Sequence, residues 1–249
     1  MIQLKTEREI ELIRSAGDIL HGALKLVREA CGAKVKTKEL DQLAEEYILE
    51  RGGRPAFKGY QGFPGTLFIS VNDEVVHGIP GSRKLKAGDI VSVDCGVIWE
   101  GYVADSAVTI PIGDIDEKTA TLLKVTEESL YKGIEQCRMG NYVRDISQVV
   151  QEWVEKHGFS VVRELVGHGV GREMHEDPQI PNYVTAQRGP KLNEGLVIAI
   201  EPMVNVGGCE VQLKRDRWTI ATMDGSMSAH FEHTVAVTKN GPEILTAGR

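Results

Sequence analysis

No stretch of the chain approaches the roughly 18 consecutive apolar residues that a membrane helix requires. Its opening residues lead into Lys5-Thr-Glu-Arg-Glu-Ile-Glu, a charged amphipathic start without the apolar centre of a secretion signal. Cysteine is scarce: Cys31, Cys95, Cys137 and Cys209 lie far apart, with no CxxC pair and no disulfide-like framework. Free thiols suit a reducing compartment, so a cytoplasmic location is expected. An excess of positive charge is also missing. The net charge of −7 argues against a general nucleic-acid binder, and the local basic cluster Lys214–Arg217 reads as a solvated loop. HExxH fails because residue 179 is Gln, GxGxxG fails because residue 172 is Arg, and no GxSxG occurs. Linkers, low-complexity tracts and clear internal repeats are absent too. What remains is an ordinary globular balance, 41% apolar and 26% charged over 249 residues, within reach of one core. A single domain over 1–249 is expected.

The N-terminal third carries helical periodicity. Thr6 with Glu9 three residues later has the form of a capping box, and apolar residues recur at Ile10, Ile13, Leu20, Leu24 and Val27. A second helix is predicted from Lys38 to Glu50, stopping at Gly52-Gly53. Strand signals follow at Phe68–Val71 and from Asp89 to Pro111, the latter turning at Glu100-Gly101. Helical patterns return over 117–136 and 145–157, and strands over 196–201 and 232–238. Without a repeating βαβ rhythm, the fold class is α+β.

Two aspartates stand in the apolar hairpin, where carboxylates are depleted. If Glu100 and Gly101 form a two-residue turn, Asp94 faces Ala107, and Asp105 lies two places along on the same side of the sheet. Such diagonal neighbours are about 7–8 Å apart, close enough for side chains to converge. Either a cation sits between them, one is protonated, or both occupy exposed strand ends. His168 and His175 lie in a glycine-rich segment whose Gly167, Gly169 and Gly171 let backbone approach a site closely. Imidazole suits zinc, iron, cobalt and manganese, although a lone loop histidine is more often structural. Glu201 ends the apolar run Leu196–Ile200, and Glu232 stands near the start of another strand. A glutamate in a buried strand is costly unless paired or coordinated.

Asp94, Asp105, Glu201 and Glu232 together carry four negative charges, which two divalent ions would balance. Without metal, each pair near 4 Å would repel by about 4 kcal/mol at an effective dielectric near 20. A carboxylate-dominated set with one imidazole suits Mn, Fe or Co, with Zn also accommodated. Two bridged metals about 3.5–4 Å apart can generate a nucleophilic hydroxide.

In these segments the sequence resembles the type I methionine aminopeptidases of the pita-bread fold. The matching stretches are Gly59–Pro64, Ser70–Pro80 with His77, Val93–Gly96 followed by Asp105, Gly167–Gly171, His175–Pro178, Ile200–Pro202 and Phe231–Thr234. Their order and spacing hold over roughly residues 2–246. The resemblance implies an antiparallel sheet flanked by helices. It also implies removal of the initiator methionine from nascent or newly made peptides, with a preference for a small second residue. By the family pattern Asp94 would chelate one metal, Asp105 and Glu232 would bridge two, and His168 and Glu201 would complete the second. Glu201 would also shuttle a proton from the bridging water to the leaving amine. His77 and His175 would hydrogen-bond the scissile amide and the developing oxyanion. The substrate's α-amine would sit against the metal bearing Asp94. Tyr60, Phe63, Phe68 and Trp218 are implied in the methionine pocket, a slot suited to a flexible thioether. The family pattern further implies a monomer, association with the ribosome, and no membrane partner.

One position departs from the bacterial pattern: Phe68 stands where Cys is usual, and Phe57 and Met174 occupy wall positions that vary in the family. A bulkier wall would narrow the slot. Only 30 residues separate Glu201 from Glu232, too few for the helical insertion of type II members. Two rival readings are a pita-bread peptidase cutting before proline, which would carry an extra N-terminal domain not expected here, and a binding protein of the same fold. The second is disfavoured because all five ligand positions are intact.

Overall fold

The computed structural model describes residues 1–249, and its architecture follows from where apolar faces must be covered. Helix α1 (Glu7–Ala30) starts at Thr6, whose hydroxyl accepts the Glu9 N–H, while the Glu9 carboxylate accepts the Thr6 N–H. This reciprocal cap satisfies two otherwise orphaned donors. Ile10, Ile13, Leu20 and Val27 are buried on one stripe, which packs on the long hairpin Ile90–Trp99/Tyr102–Pro111. Helix α2 (Thr37–Glu50) packs beside α1. Helices α3 (Glu117–Glu135) and α4 (Val143–Lys156) form a second pair. The last helix starts at Val143, ahead of the expected 145, because the Asp145 carboxylate accepts the Tyr142 N–H at 2.7 Å and fixes the first turn there.

All strand pairings are antiparallel. A four-stranded sheet holds Arg54–Pro55, Leu67–Val71 and the long hairpin. A five-stranded sheet holds, in spatial order, Gly241–Ile244, His233–Thr238, Val197–Ile200, Gly167–Gly169 and Glu176–Ile180. Two small three-stranded sheets complete the molecule. One cluster of 54 buried apolar residues runs through both helix pairs and the two large sheets, so the chain has one main core. No helix is long and apolar enough to cross a membrane.

The hairpin turns at Glu100 and Gly101, with φ of 47° and 82°. Two consecutive positive φ values mark the tight turn that matches strand twist. The register therefore puts Asp94 opposite Ala107 and Asp105 opposite Gly96, as the two-residue turn requires. In the other large sheet His233 pairs with Ile200 and His168 with Ala199. Glu201 immediately follows Ile200, and Glu232 immediately precedes His233, just outside the strand expected to contain it. The two glutamates thus leave adjacent strands at one end of the sheet.

Lys214, in the basic cluster of the Lys214–Arg217 loop, is paired with Glu74 at 3.1 Å and Asp73 at 3.3 Å. Close approach within the second sheet depends on glycine. A Cβ on Gly167 would lie 2.4 Å from the Ala199 carbonyl oxygen. Gly167→Ala should therefore force apart the strands that carry His168 and lead to Glu201. The expected cost is about 1–3 kcal/mol, equivalent to a fall of roughly 2–12 °C in melting temperature. A melt unchanged to within about 1 °C would show that the strands yield freely there.

Candidate active site

The two large sheets meet around a cavity of about 190 Å³. Asp94 and Asp105 enter it from the hairpin, His168 from the Gly167–Gly169 strand, and Glu201 and Glu232 from the strand ends. All five candidate ligands line this one space. Ligand atoms of Asp105, His168 and Glu232 lie within 4.8 Å of one another. Nε2 of His168 is 3.4 Å from Glu201 Oε1 and 3.8 Å from Asp105 Oδ2.

These donors fit divalent cations. Asp94 Oδ1, Asp105 Oδ1 and Glu232 Oε1 are buried without a hydrogen-bond partner. Buried polar groups are nearly always paired, and three orphaned carboxylate oxygens in one pocket need a cation or protons. His168 Nδ1 donates to the Gly169 carbonyl, 2.8 Å away. Since a carbonyl only accepts, Nδ1 carries the hydrogen and Nε2 presents its lone pair toward the carboxylates. Burial, then the nearby His175, pulls the His168 pKa down to about 4, so the ring is neutral and free to ligate.

The carboxylates shift the other way. Burial, with the Asp105 and Glu201 charges, pushes Asp94 well above the usual carboxylate range. Burial raises Asp105 to about 7. Glu201 is raised by burial and by Asp105, and Glu232 by burial and all three neighbours.

Two further histidines face the cavity. His77 has φ of 60°, unusual for a residue with a Cβ. It is held by the adjoining Gly78, whose N–H donates to Ser70 Oγ and whose carbonyl accepts the Ile69 N–H. His175 is braced at Nδ1 by the Tyr60 hydroxyl, 3.0 Å away. If the phenol donates, Nε2–H is left to face a substrate. The loop carrying His175 is fixed from below. Glu176 accepts the Arg172 N–H at 2.8 Å and pairs with the buried Lys5 ammonium at 2.6 Å.

Tyr60, Phe68 and Trp218 line the cavity with Phe57. Phe63 does not. It is 1% exposed and packs behind the wall, its ring 4.4 Å from Phe68 and 5.0 Å from Trp218, because the Tyr60–Gly62 turn directs it into the core. Met174 is also buried outside the lining, against the Gly96 backbone. Phe68 contacts more than the pocket wall, since its ring is 4.7 Å from His77 and 4.3 Å from Phe57. Gln61 and Val76, from the matching stretches Gly59–Pro64 and Ser70–Pro80, also line the space, as do Leu165, Val166 and Met203, which lie outside any matching stretch.

His230 was not identified as a site residue from the sequence. It is 1% exposed, neither ring nitrogen has a hydrogen-bond partner, and Nε2 lies 3.9 Å from Glu201 Oε2. Burial, then His77, lowers its pKa to about 3. Its signal was its place two residues before Glu232 in an extended segment, which sets both side chains on one face.

A larger cavity of about 570 Å³ lies behind this wall, where Ser106, Phe231 and His233 alternate with the ligands. It contains no cluster of carboxylates and histidines like the one in front.

These shifts carry opposite pH signatures. The buried carboxylates hold protons that the unfolded chain releases near 3.8 for Asp, so their contribution to stability is lost as pH rises through about 7 for Asp105. The buried histidines stay neutral where the unfolded chain protonates at 6.5, so theirs is lost as pH falls from 6.5 toward 4 for His168. As pH rises past 6.5 the histidine contribution fades, and the carboxylates set a slope of opposite sign. If divalent ions take the place of these protons, the metal-induced rise in melting temperature should grow between about pH 6 and about pH 8. A rise independent of pH over that window, measured against chelated protein, would exclude proton-for-metal exchange.

Comparison with known proteins finds relatives over nearly the whole chain. The model of a family described as "Metallopeptidase family M24" matches residues 11–239. A methionine aminopeptidase of Clostridium perfringens is 53% identical over 246 residues, 99% of each chain. Methionine aminopeptidase 1 of Bacillus subtilis is 51% identical, again over 99% of both. The crystal structure of a Thermotoga maritima methionine aminopeptidase superposes with a TM-score of 0.97 at 47% identity, covering 99% of each chain.

Proposed function

The chain belongs to metallopeptidase family M24, and from its full-length likeness to methionine aminopeptidases we propose that it is one of type I, hydrolysing the first peptide bond of chains that begin with methionine. The observation that carries the reading is the convergence of Asp94, Asp105, His168, Glu201 and Glu232 on one small cavity, three of their oxygens orphaned. We assign these five as the residues that would hold two divalent ions, Asp105 and Glu232 contributing to both, with Co, Mn, Fe or Zn as the candidates. When bound, such a pair supplies Lewis-acid chemistry and makes a water nucleophilic near neutral pH.

The chain's own groups would do the rest. Glu201 is the proton carrier, accepting from the attacking water and donating to the departing amine. Its backbone carbonyl accepts from Asn182 Nδ2 at 3.0 Å, which fixes the strand end that carries it. His77 and His175, neutral through burial, stand where they can donate to the scissile amide and to the oxygen that gains charge. Burial lowers His77 to about 4, so it acts as a neutral donor at physiological pH. The Phe57, Tyr60, Phe68 and Trp218 wall takes the methionine side chain. At about 190 Å³ the cavity suits one side chain and a small second residue. Nascent chains, reached at the ribosome by a monomeric enzyme in the cytoplasm, are the proposed substrates.

Metal-loaded protein should release free methionine from Met-Ala-Ser far faster than from Met-Leu-Ser. Glu201→Gln and His168→Ala should each cut turnover by about 10²–10⁴-fold with the fold retained by circular dichroism. Near-normal rates in either variant would remove that residue from its role. Phe68→Cys, which opens the wall beside His77, should shift the kcat/KM ratio between methionine and other apolar first residues by about 10-fold or more. Unchanged ratios would place Phe68 outside the specificity wall.

A further inference from the structure

The strand Tyr102–Pro111 carries Asp105, and the segment His230–Thr234 carries Glu232, yet the two belong to different sheets. They touch along a short antiparallel register. At its centre Ala107 and Glu232 exchange both backbone hydrogen bonds, at 3.3 and 3.0 Å. Two residues away on each side the backbones no longer meet, and a threonine hydroxyl fills each gap. Thr234 Oγ1 accepts the Asp105 N–H at 3.0 Å and donates to the Asp105 carbonyl at 2.8 Å. Thr109 Oγ1 accepts the His230 N–H at 2.9 Å and donates to the His230 carbonyl at 2.8 Å.

One threonine comes from each strand, and each hydroxyl uses its donor and an acceptor lone pair on a single opposing residue. Both are nearly or wholly buried, Thr234 at 0% and Thr109 at 4% exposure. Ser106 Oγ adds a bond to the Glu232 carbonyl at 2.5 Å. The hydroxyls act as spacers: they let the two sheets splay apart while no backbone group on Asp105 or His230 is left unpaired. The spacing they set is the spacing between Asp105 and Glu232.

We propose that Thr234 and Thr109 are positioning residues for the metal centre, their hydroxyls setting the separation of Asp105 and Glu232 so that both carboxylates reach the same pair of ions. This rests on the ligand assignment above. The mechanism is geometric. Without a hydroxyl at 234, the buried Asp105 N–H and carbonyl lose their partners and the junction must close or admit water, moving one shared carboxylate relative to the other.

The test uses full-length protein, Co(II) as the probe, and isosteric Thr234→Val. We expect Co(II) affinity to fall by about 10–100-fold, the visible absorption of bound Co(II) to change, and kcat to fall at nearly constant KM. Thr234→Ser, which keeps the hydroxyl, should restore all three. Thr109→Val should move them in the same direction. A folded Thr234→Val protein with wild-type Co(II) affinity and absorption overturns the proposal. Should Thr234→Val not fold, Thr109→Val is read by the same criteria. Failure of both to fold with or without Co(II) also overturns it, in favour of a purely structural role. Wild-type protein that takes up no Co(II) would instead defeat the ligand assignment itself.

Discussion

Four carboxylates confined to one buried cavity repel each other, and much of the surrounding structure answers that repulsion. At effective dielectric constants typical of protein interiors each close pair costs several kcal/mol, in addition to the desolvation of each charge. Left alone, the groups would hold protons, which is the direction in which Asp94, Asp105, Glu201 and Glu232 are all displaced. A cationic centre removes the conflict, and family M24 membership supplies the chemical class of that centre. The histidines around it are displaced the opposite way, toward neutrality, because the same burial penalises their charged form. Neutral imidazoles and charge-bearing carboxylates are the combination a hydrolytic metal site requires.

Holding such a set together demands rigid backbone on both sides of the cavity. The hairpin provides one wall through an uninterrupted ten-residue ladder closed by a tight turn. The second sheet provides the other, with its strands drawn close where Gly167 meets the Ala199 carbonyl. Where Asp105 and Glu232 approach, one backbone pair is flanked by two threonine hydroxyls and joined by the Ser106 hydroxyl. Loops then hang the substrate-facing groups on this frame. His77 rests on the Leu67–Val71 strand through Gly78, and His175 is anchored through Glu176 to the buried Lys5.

Legibility differed by residue. Asp94 and Asp105 could be related to each other because both lie in one hairpin, where the turn length alone sets which residues face one another. The Thr6–Glu9 cap was legible for a similar reason, being complete within four residues. Phe63 was placed in the pocket by its motif, yet the turn at Tyr60–Gly62 directs its ring into the core, a matter of local φ and ψ that residue type does not encode. His230 shares a face with Glu232 through their two-residue spacing, but its approach to Glu201 arises between strands and is not written in any spacing along the chain.

The short strands, among them Gly167–Gly169 with His168, were not legible in the order of residues. By itself, then, that order determined the four helices, the longer strands, the register of the hairpin and, through motif order and spacing, the kinship with a known class of peptidases. These are properties carried by short-range periodicity or by many weak matches added together. Only the tertiary structure decided which oxygens are orphaned, which nitrogen of His168 is free, which aromatic side chains form the wall, and how two separate sheets are spaced by a pair of hydroxyls. Those are distances between atoms far apart in the chain, and they exist only once packing has brought the two sheets together.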